Sequence, residues 1–232
     1  MIHKRDLKSV PRGIGMTSQR TRDRLVTRLR EAGIQDERVL EVMRATPRHI
    51  FVDEALASRA YEDSSLPIGF GQTISQPFIV ARMTEVLLKD FSPTRVLEVG
   101  TGSGYVTALL ASLAEHVYSV DINTEMTRTA GEKLADHGII NVVLETGDAA
   151  RGWDAHAPYD VIVLTGSLPL LPDNFKQALT VGGRLLAIVG DAPAMDVVLI
   201  TRVGESEWTQ ETLFETDLPP LINAPEPDRF SL

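Results

Sequence analysis

An apolar run that breaks on three alternate glycines, Arg95-Val-Leu-Glu-Val-Gly-Thr-Gly-Ser-Gly-Tyr105, constrains the fold of this chain more than any other stretch. Val96, Leu97 and Val99 read as a buried strand, Gly100, Gly102 and Gly104 as a tight turn, and Tyr105 to Leu113 as a helix. Glycine lets backbone approach a ligand where a β-carbon would collide, and a helix that starts there points its free N–H groups at whatever is bound. A strand, a glycine turn and a helix in that order form a nucleotide-type cofactor site.

The spacing narrows the cofactor. A dinucleotide fingerprint is G-x-G-x-x-G, with the third glycine packing helix on strand near a pyrophosphate. Here the spacing is G-x-G-x-G, and Glu98 stands two residues before the first glycine. An acid there repels a pyrophosphate and suits a ligand that carries positive charge, such as S-adenosyl-L-methionine with its ammonium and sulfonium groups. Asp121 ends the next apolar run, His116-Val-Tyr-Ser-Val-Asp121, where a carboxylate takes ribose hydroxyls in doubly wound folds. The third run, Val142-Val-Leu-Glu-Thr146, leads into Gly147-Asp148, a further acid at a strand end. One glycine motif alone is explained by tight packing; the series of acids at successive strand ends favours a cofactor.

The chain around this motif reads in order. Residues 1–13 are polar and basic, and a flexible tail is expected. A helix from Thr17 or Ser18 to Gly33 and a second from Asp36 to Pro47 form an N-terminal cap on the main sheet. Residues 47–77 read as a long irregular segment, too apolar for disorder, lying over the cofactor site. Pro77 opens a helix with Ile79, Val80, Met83, Val86 and Leu87 at helical spacing, which gives Ser75 a plain role as a cap beside a possible one in contacting substrate. Strands at 95–99, 117–121, 142–146, 160–164 and 184–189 alternate with helices at 105–113, 124–137, 149–153 and 171–179. That alternation predicts a parallel α/β sheet, doubly wound, with ligands at the strand C-terminal ends. Met195 to Val203 and Trp208 to Thr216 then read as an antiparallel hairpin, followed by an extended proline-rich close.

Composition excludes several classes. With 32 acids against 23 bases the net charge is -9, which opposes the phosphate neutralisation of nucleic-acid binding. There is no cysteine, so thiolate catalysis and cysteine metal sites are absent. The five histidines show no metal-ligand spacing, and neither a G-x-S-x-G elbow nor a G-x-x-x-x-G-K-[ST] loop occurs. After the fourth strand stands Leu164-Thr-Gly-Ser-Leu-Pro169, without the Asn/Asp-Pro-Pro-aromatic tetrapeptide that binds an amino nitrogen for methylation. The N-terminus lacks an apolar signal core and no run approaches membrane-spanning length, so a cytoplasmic protein is expected.

Several further blocks carry a resemblance. Gly13-Ile-Gly-Met-Thr-Ser-Gln-Arg, Pro47-Arg-His-Ile-Phe-Val, Arg59-Ala-Tyr-Glu-Asp, Leu66-Pro-Ile-Gly, Gly71-Gln-Thr-Ile-Ser-Gln-Pro77 and the glycine motif itself make the sequence resemble the protein-L-isoaspartate O-methyltransferases. The Gln72–Pro77 block is the most specific, being that family's substrate loop. The resemblance implies a class I methyltransferase fold over 14–232, with 14–76 as helical cap and substrate loop and 77–232 as cofactor-binding sheet. It implies methyl transfer from S-adenosyl-L-methionine to isoaspartyl proteins and peptides; beside it, a monomer or a small oligomer with no nucleic-acid or membrane partner and no metal is expected. Ser75 takes the active-site role, and the cofactor set becomes Thr73, Ile74, Ser75, Glu98, Gly100, Thr101, Gly102, Gly104, Asp121, Ile122, Asp148, Ala149 and Thr165. The family usually shows Gly-Asp-Gly where this chain has Gly147-Asp148-Ala149, Thr-Ala-Ala where it has Thr165-Gly166-Ser167, and an Arg-Phe-Val-Pro-Leu close that is missing here. Those departures keep two alternatives in view: O-methylation of another carboxylate, and a non-catalytic S-adenosyl-L-methionine-binding module.

Overall fold

The computed structural model describes residues 18–227, and the expected basic tail at 1–13 lies outside them. Helices α1 (Gln19–Glu31) and α2 (Glu37–Ala45) open the described chain. Asp36 caps α2 by accepting a hydrogen bond from the Arg38 amide. Leu25, Val26 and Leu29 of α1 and Val39, Leu40 and Met43 of α2 are buried, as their spacing requires. Two 3-10 turns, Arg48–Phe51 and Glu54–Arg59, lead into a two-stranded antiparallel hairpin, β1 (Leu66–Gly69) and β2 (Gln72–Ile74). This hairpin replaces the irregular segment expected there. Its turn places Phe70 at φ 53° and Gly71 at φ 74°, the left-handed pair that closes a two-residue hairpin, with phenylalanine where Asn or Asp would normally signal it.

Helix α3 (Pro77–Leu88) precedes the main sheet, made of β3 (Arg95–Val99), β4 (His116–Asp121), β5 (Val142–Thr146), β6 (Tyr159–Leu168), β7 (Leu179–Val189), β8 (Met195–Gly204) and β9 (Glu207–Thr216). Between the strands run α4 (Tyr105–Leu113), α5 (Thr124–Asp136) and α6 (Asp173–Gln177). The sheet order is β5-β4-β3-β6-β7-β8-β9, parallel through β7 and antiparallel for the last two strands. Val96 and Leu97 of β3 are both fully buried and point to opposite faces. Val96 packs with Ile79, Met83 and Leu110 of α3 and α4, and Leu97 with Phe175, Leu185 and Ala187. The cap rests on α3 and α4 rather than on the sheet itself, sharing a core with Val80, Tyr105 and Leu109.

Four element boundaries differ from expectation, and one is β7, which starts at Leu179 rather than at 184. No helix forms over 149–153, where the chain turns at Ala150 and Arg151 and Trp153 lays its ring against Gly147. Helix α6 is shorter than 171–179, because Pro172 precedes it and Leu179 already pairs with Tyr159 in the sheet. Strand β6 runs on to Leu168, with an irregular register between Val163 and Ser167, because Ser167 gains a second partner in the closing segment: its amide donates to Pro219 O, and its carbonyl accepts from the Leu221 amide.

Candidate active site

A crevice enclosing about 950 Å³, part of it open to solvent, lies beyond the C-terminal ends of the parallel strands, where the order reverses between β3 and β6. Every expected cofactor residue except Gly104 lines it. Gly104, at φ +84°, instead precedes α4 as its cap, and a β-carbon there would lie 3.1 Å from Ala130 Cβ, so its work is the close approach of α4 and α5. Gly100 also differs from the expected reason. At φ +98°, a β-carbon on it would lie 2.2 Å from Thr165 Oγ1, whose hydroxyl reaches the carbonyls of Val99 at 2.9 Å and Gly100 at 2.6 Å. The glycine therefore serves the join between β3 and β6.

Glu98 is wholly buried at the floor. Its Oε2 accepts from Thr107 Oγ1 at 2.5 Å and Ser119 Oγ at 2.6 Å, and Thr101 Oγ1 lies 2.6 Å from the same serine. Its Oε1 is buried with no partner. Burial pushes the carboxyl up to about 7, against the lowering pull of the two hydroxyl donors. Glu98 lines the crevice, and a cationic ligand group brought against it would supply the partner that the buried oxygen lacks. Asp121 is held rigidly, Oδ2 accepting from the Gly102 amide at 2.8 Å and Oδ1 from the Asn123 amide at 2.9 Å. Asp148 Oδ1 accepts from the Ala150 amide at 3.1 Å and Oδ2 from Asn223 Nδ2 at 2.8 Å.

Ser75 sits at the end of β2, on the opposite wall, half-buried. It does not cap α3: that helix begins after Gln76, and Asp63 Oδ1 takes the Phe78 amide at 2.9 Å. Among the described residues the Ser75 hydroxyl has no hydrogen-bond partner, whereas its carbonyl accepts from Arg48 Nη2 at 2.9 Å. Ile68, Phe70, Gln72, Thr73 and Ile74 of the hairpin line the same wall. Among the described residues no histidine, lysine or arginine lines the crevice.

The closing segment forms the third wall through Pro220, Leu221 and Ile222. Ser167 Oγ donates to Leu218 O at 2.9 Å, and a β-carbon on Gly166 would lie 2.7 Å from Leu221 Cδ2 and 3.0 Å from its Cγ. The Gly166-Ser167 departure and the proline-rich close are thus one feature: the first makes room for the second. Sequence reasoning missed this wall, and it missed Asn123 and Met126 after β4. Asn123 carried a usable signal, since it caps α5 by accepting from the Glu125 and Met126 amides directly after the strand-end acid.

Comparison with known proteins agrees with this geometry. Residues 20–224 match the family model described as protein-L-isoaspartate(D-aspartate) O-methyltransferase (PCMT). The chain is 54% identical over 211 residues to a protein-L-isoaspartate O-methyltransferase of Xanthomonas axonopodis pv. citri, covering 91% of this chain and 93% of the relative. It is also 54% identical over 194 residues to the enzyme of that name from Halorhodospira halophila, covering 84% of this chain and 88% of the relative. A solved protein-L-isoaspartate O-methyltransferase superposes with TM-score 0.77 at 26% identity, covering 86% of this chain, which spans 65% of that structure. A Plasmodium falciparum structure described as a putative member in complex with S-adenosyl-L-homocysteine shares the fold, with TM-score 0.72 at 21% identity over 86% of this chain and 97% of its own.

Proposed function

Since the chain belongs to the protein-L-isoaspartate(D-aspartate) O-methyltransferase family, we propose that it transfers a methyl group from S-adenosyl-L-methionine to the α-carboxylate of isoaspartyl residues in proteins. The observation that carries this reading is the pairing, across one crevice, of a bare buried Glu98 oxygen with the unbonded hydroxyl of Ser75. One wall suits a cation, the other an acceptor that takes a hydrogen bond.

When bound, S-adenosyl-L-methionine supplies an electrophilic methyl group on a sulfonium. Glu98, Thr101 and Gly102 would hold its amino-acid end, Asp121 the ribose, and Asp148 with Ala149 the base. Thr73, Ile74, Ile122 and Thr165 would complete the walls, with Gly100 and Gly104 setting the turn. An isoaspartyl α-carboxylate is ionised at neutral pH, so no general base is needed, in keeping with a crevice that no histidine or lysine among the described residues lines. What the chain contributes is alignment, worth as much as ~7–11 kcal/mol when the acceptor is held in line. Ser75 Oγ would donate to the acceptor carboxylate and fix its direction. The hairpin and the closing segment would exclude water. The backbone nitrogen of the next residue then attacks the ester carbonyl and expels methanol, closing a succinimide that water reopens partly as normal aspartate, which is repair. We read the enzyme as a cytoplasmic monomer; among the described residues no helix is long and apolar enough to cross a membrane.

The test is methyl transfer from labelled S-adenosyl-L-methionine to two peptides that differ only in one L-isoaspartyl or L-aspartyl residue. Base-labile label in the isoaspartyl peptide alone is expected. Label in neither, with cofactor bound, would leave a binding module, and label in a different carboxylate acceptor would move the substrate class.

A further inference from the structure

Behind the Ser75 wall stands a charge that the reaction scheme above leaves unused. Arg48, on the first 3-10 turn, is wholly buried. Its guanidinium donates only to backbone carbonyls: Nη1 to Ala60, and Nη2 to Ser75 at 2.9 Å, with longer contacts to Ser64 and Ile74. Its Nε is buried without a partner, as is the hydroxyl of Tyr105, whose ring centroid lies 5.9 Å from Arg48 Cζ. Among the described residues no carboxylate lies within ion-pair distance of Arg48; Asp63, whose Oδ1 takes the Phe78 amide, acts on it only from beyond that distance. Ser75 and Tyr105 both line the crevice, so the charge sits one residue behind the wall.

Burying a guanidinium without a counter-charge in contact is costly, and carbonyls alone could be gathered by a neutral donor at less expense. We propose that Arg48 is a positioning and selectivity residue for the acceptor: its fork fixes the Ile74–Ser75 backbone, and its charge, which no carboxylate contacts, makes this wall favour an anionic acceptor over a neutral one of the same shape. The inference rests on the family reading, which supplies a carboxylate as acceptor. It also fixes where the effect falls. Methyl transfer from a sulfonium to a carboxylate neutralises charge, so a cation behind the carboxylate stabilises the bound acceptor more than the transition state, and it belongs to acceptor binding and KM rather than to the chemical step.

The experiment measures displacement of a fluorescent isoaspartyl peptide, with the protein saturated in S-adenosyl-L-homocysteine, by two unlabelled competitors: the isoaspartyl peptide and the same peptide with its α-carboxylate replaced by carboxamide. Wild type should prefer the acid. In Arg48→Met the acid-to-amide preference should fall by roughly tenfold, the size expected of one buried charge a few ångströms behind the wall. Arg48→Lys should keep the preference within about threefold, yet lose kcat because a point charge cannot hold the carbonyl fork. A merely structural role would weaken both competitors equally, so an unmoved ratio in Arg48→Met overturns the charge assignment. Should Arg48→Met fail to bind S-adenosyl-L-homocysteine, Arg48→Lys decides: a collapsed ratio overturns the charge role, and wild-type kcat overturns the positioning role. Wild type that binds neither peptide would overturn the family reading and the Arg48 assignment with it, an outcome seen before any variant is made.

Discussion

Glu98 has one oxygen bonded to two hydroxyls and the other bare, in full burial, so its proton and a cationic ligand compete for the same place. With the carboxyl raised from 4.5 to about 7, the folded protein between those values holds a proton that the unfolded chain has released. Rising pH through that window therefore lowers the stability of the ligand-free protein, by up to ~3 kcal/mol. Ligand affinity moves the other way. The ammonium group favours ionised Glu98, so binding of S-adenosyl-L-homocysteine should strengthen as pH rises to about 7 and level off above it, releasing close to one proton near pH 6. Titration calorimetry in two buffers of different ionisation heat reads that proton directly. Glu98→Gln should bind weakly at every pH, and a wild-type affinity constant from pH 5.5 to 8 would sink the assignment. Ser75 offers a cleaner separation of roles, because Asp63 takes the helix-capping duty. Ser75→Ala should leave stability within about 0.5 kcal/mol. Removing a hydrogen bond to a charged acceptor, about 1.5–3 kcal/mol, should cut turnover roughly 10- to 150-fold, measured by steady-state methylation of the isoaspartyl peptide. Unchanged turnover would remove Ser75 from the mechanism.

At the scale of elements, the closing segment is held on strand β6 by hydrogen bonds of Ser167 to Leu218, Pro219 and Leu221, and Gly166 leaves the room that Leu221 occupies. A β-carbon there meets Leu221 Cδ2, Cγ and, at 3.3 Å, its backbone nitrogen, so no single rotamer change relieves the clash. Gly166→Ala should cost about 1–3 kcal/mol in urea unfolding and lift the segment, seen as faster hydrogen exchange at 218–224 with β7 and β8 unchanged. Slow exchange retained there would mean that the segment is held from elsewhere. This element also marks where the sequence stopped being readable. The parallel strands were legible because each is a short apolar run closed by a glycine or an acid, and Glu98, Asp121 and Asp148 fall at their ends. The hairpin at 66–74 was not, because its turn is carried by Phe70 at φ 53°, a residue that gives no left-handed signal. The closing wall was not, because Leu218 to Ile222 have no period of their own and take their shape from Ser167, some fifty residues earlier. Local pattern reports local structure; a contact across the sheet leaves its trace only as paired departures, here Gly166 with Leu221.

For the whole molecule, the crevice is bounded by parts far apart in sequence: the hairpin with Ser75, the strand ends from Glu98 to Asp148, and the segment at Pro220 to Ile222. A ligand touching all three would tie the cap, the sheet and the closing segment into one cooperative unit. At a hundredfold excess over its dissociation constant such a ligand adds ~2.7 kcal/mol, which in a chain of this size raises the melting temperature by about 5–11 °C. The shift alone would follow from any native-specific binding, so the distribution of protection is the sharper measure. Saturating S-adenosyl-L-homocysteine should slow amide exchange at 66–75, at 100–104 and at 218–224 together. In Gly166→Ala the first two segments should keep their protection and the third should lose it. Protection confined to 100–104 in wild type would mean that the ligand rests on the strand ends alone, and that the hairpin carrying Ser75 comes to order only with the acceptor peptide.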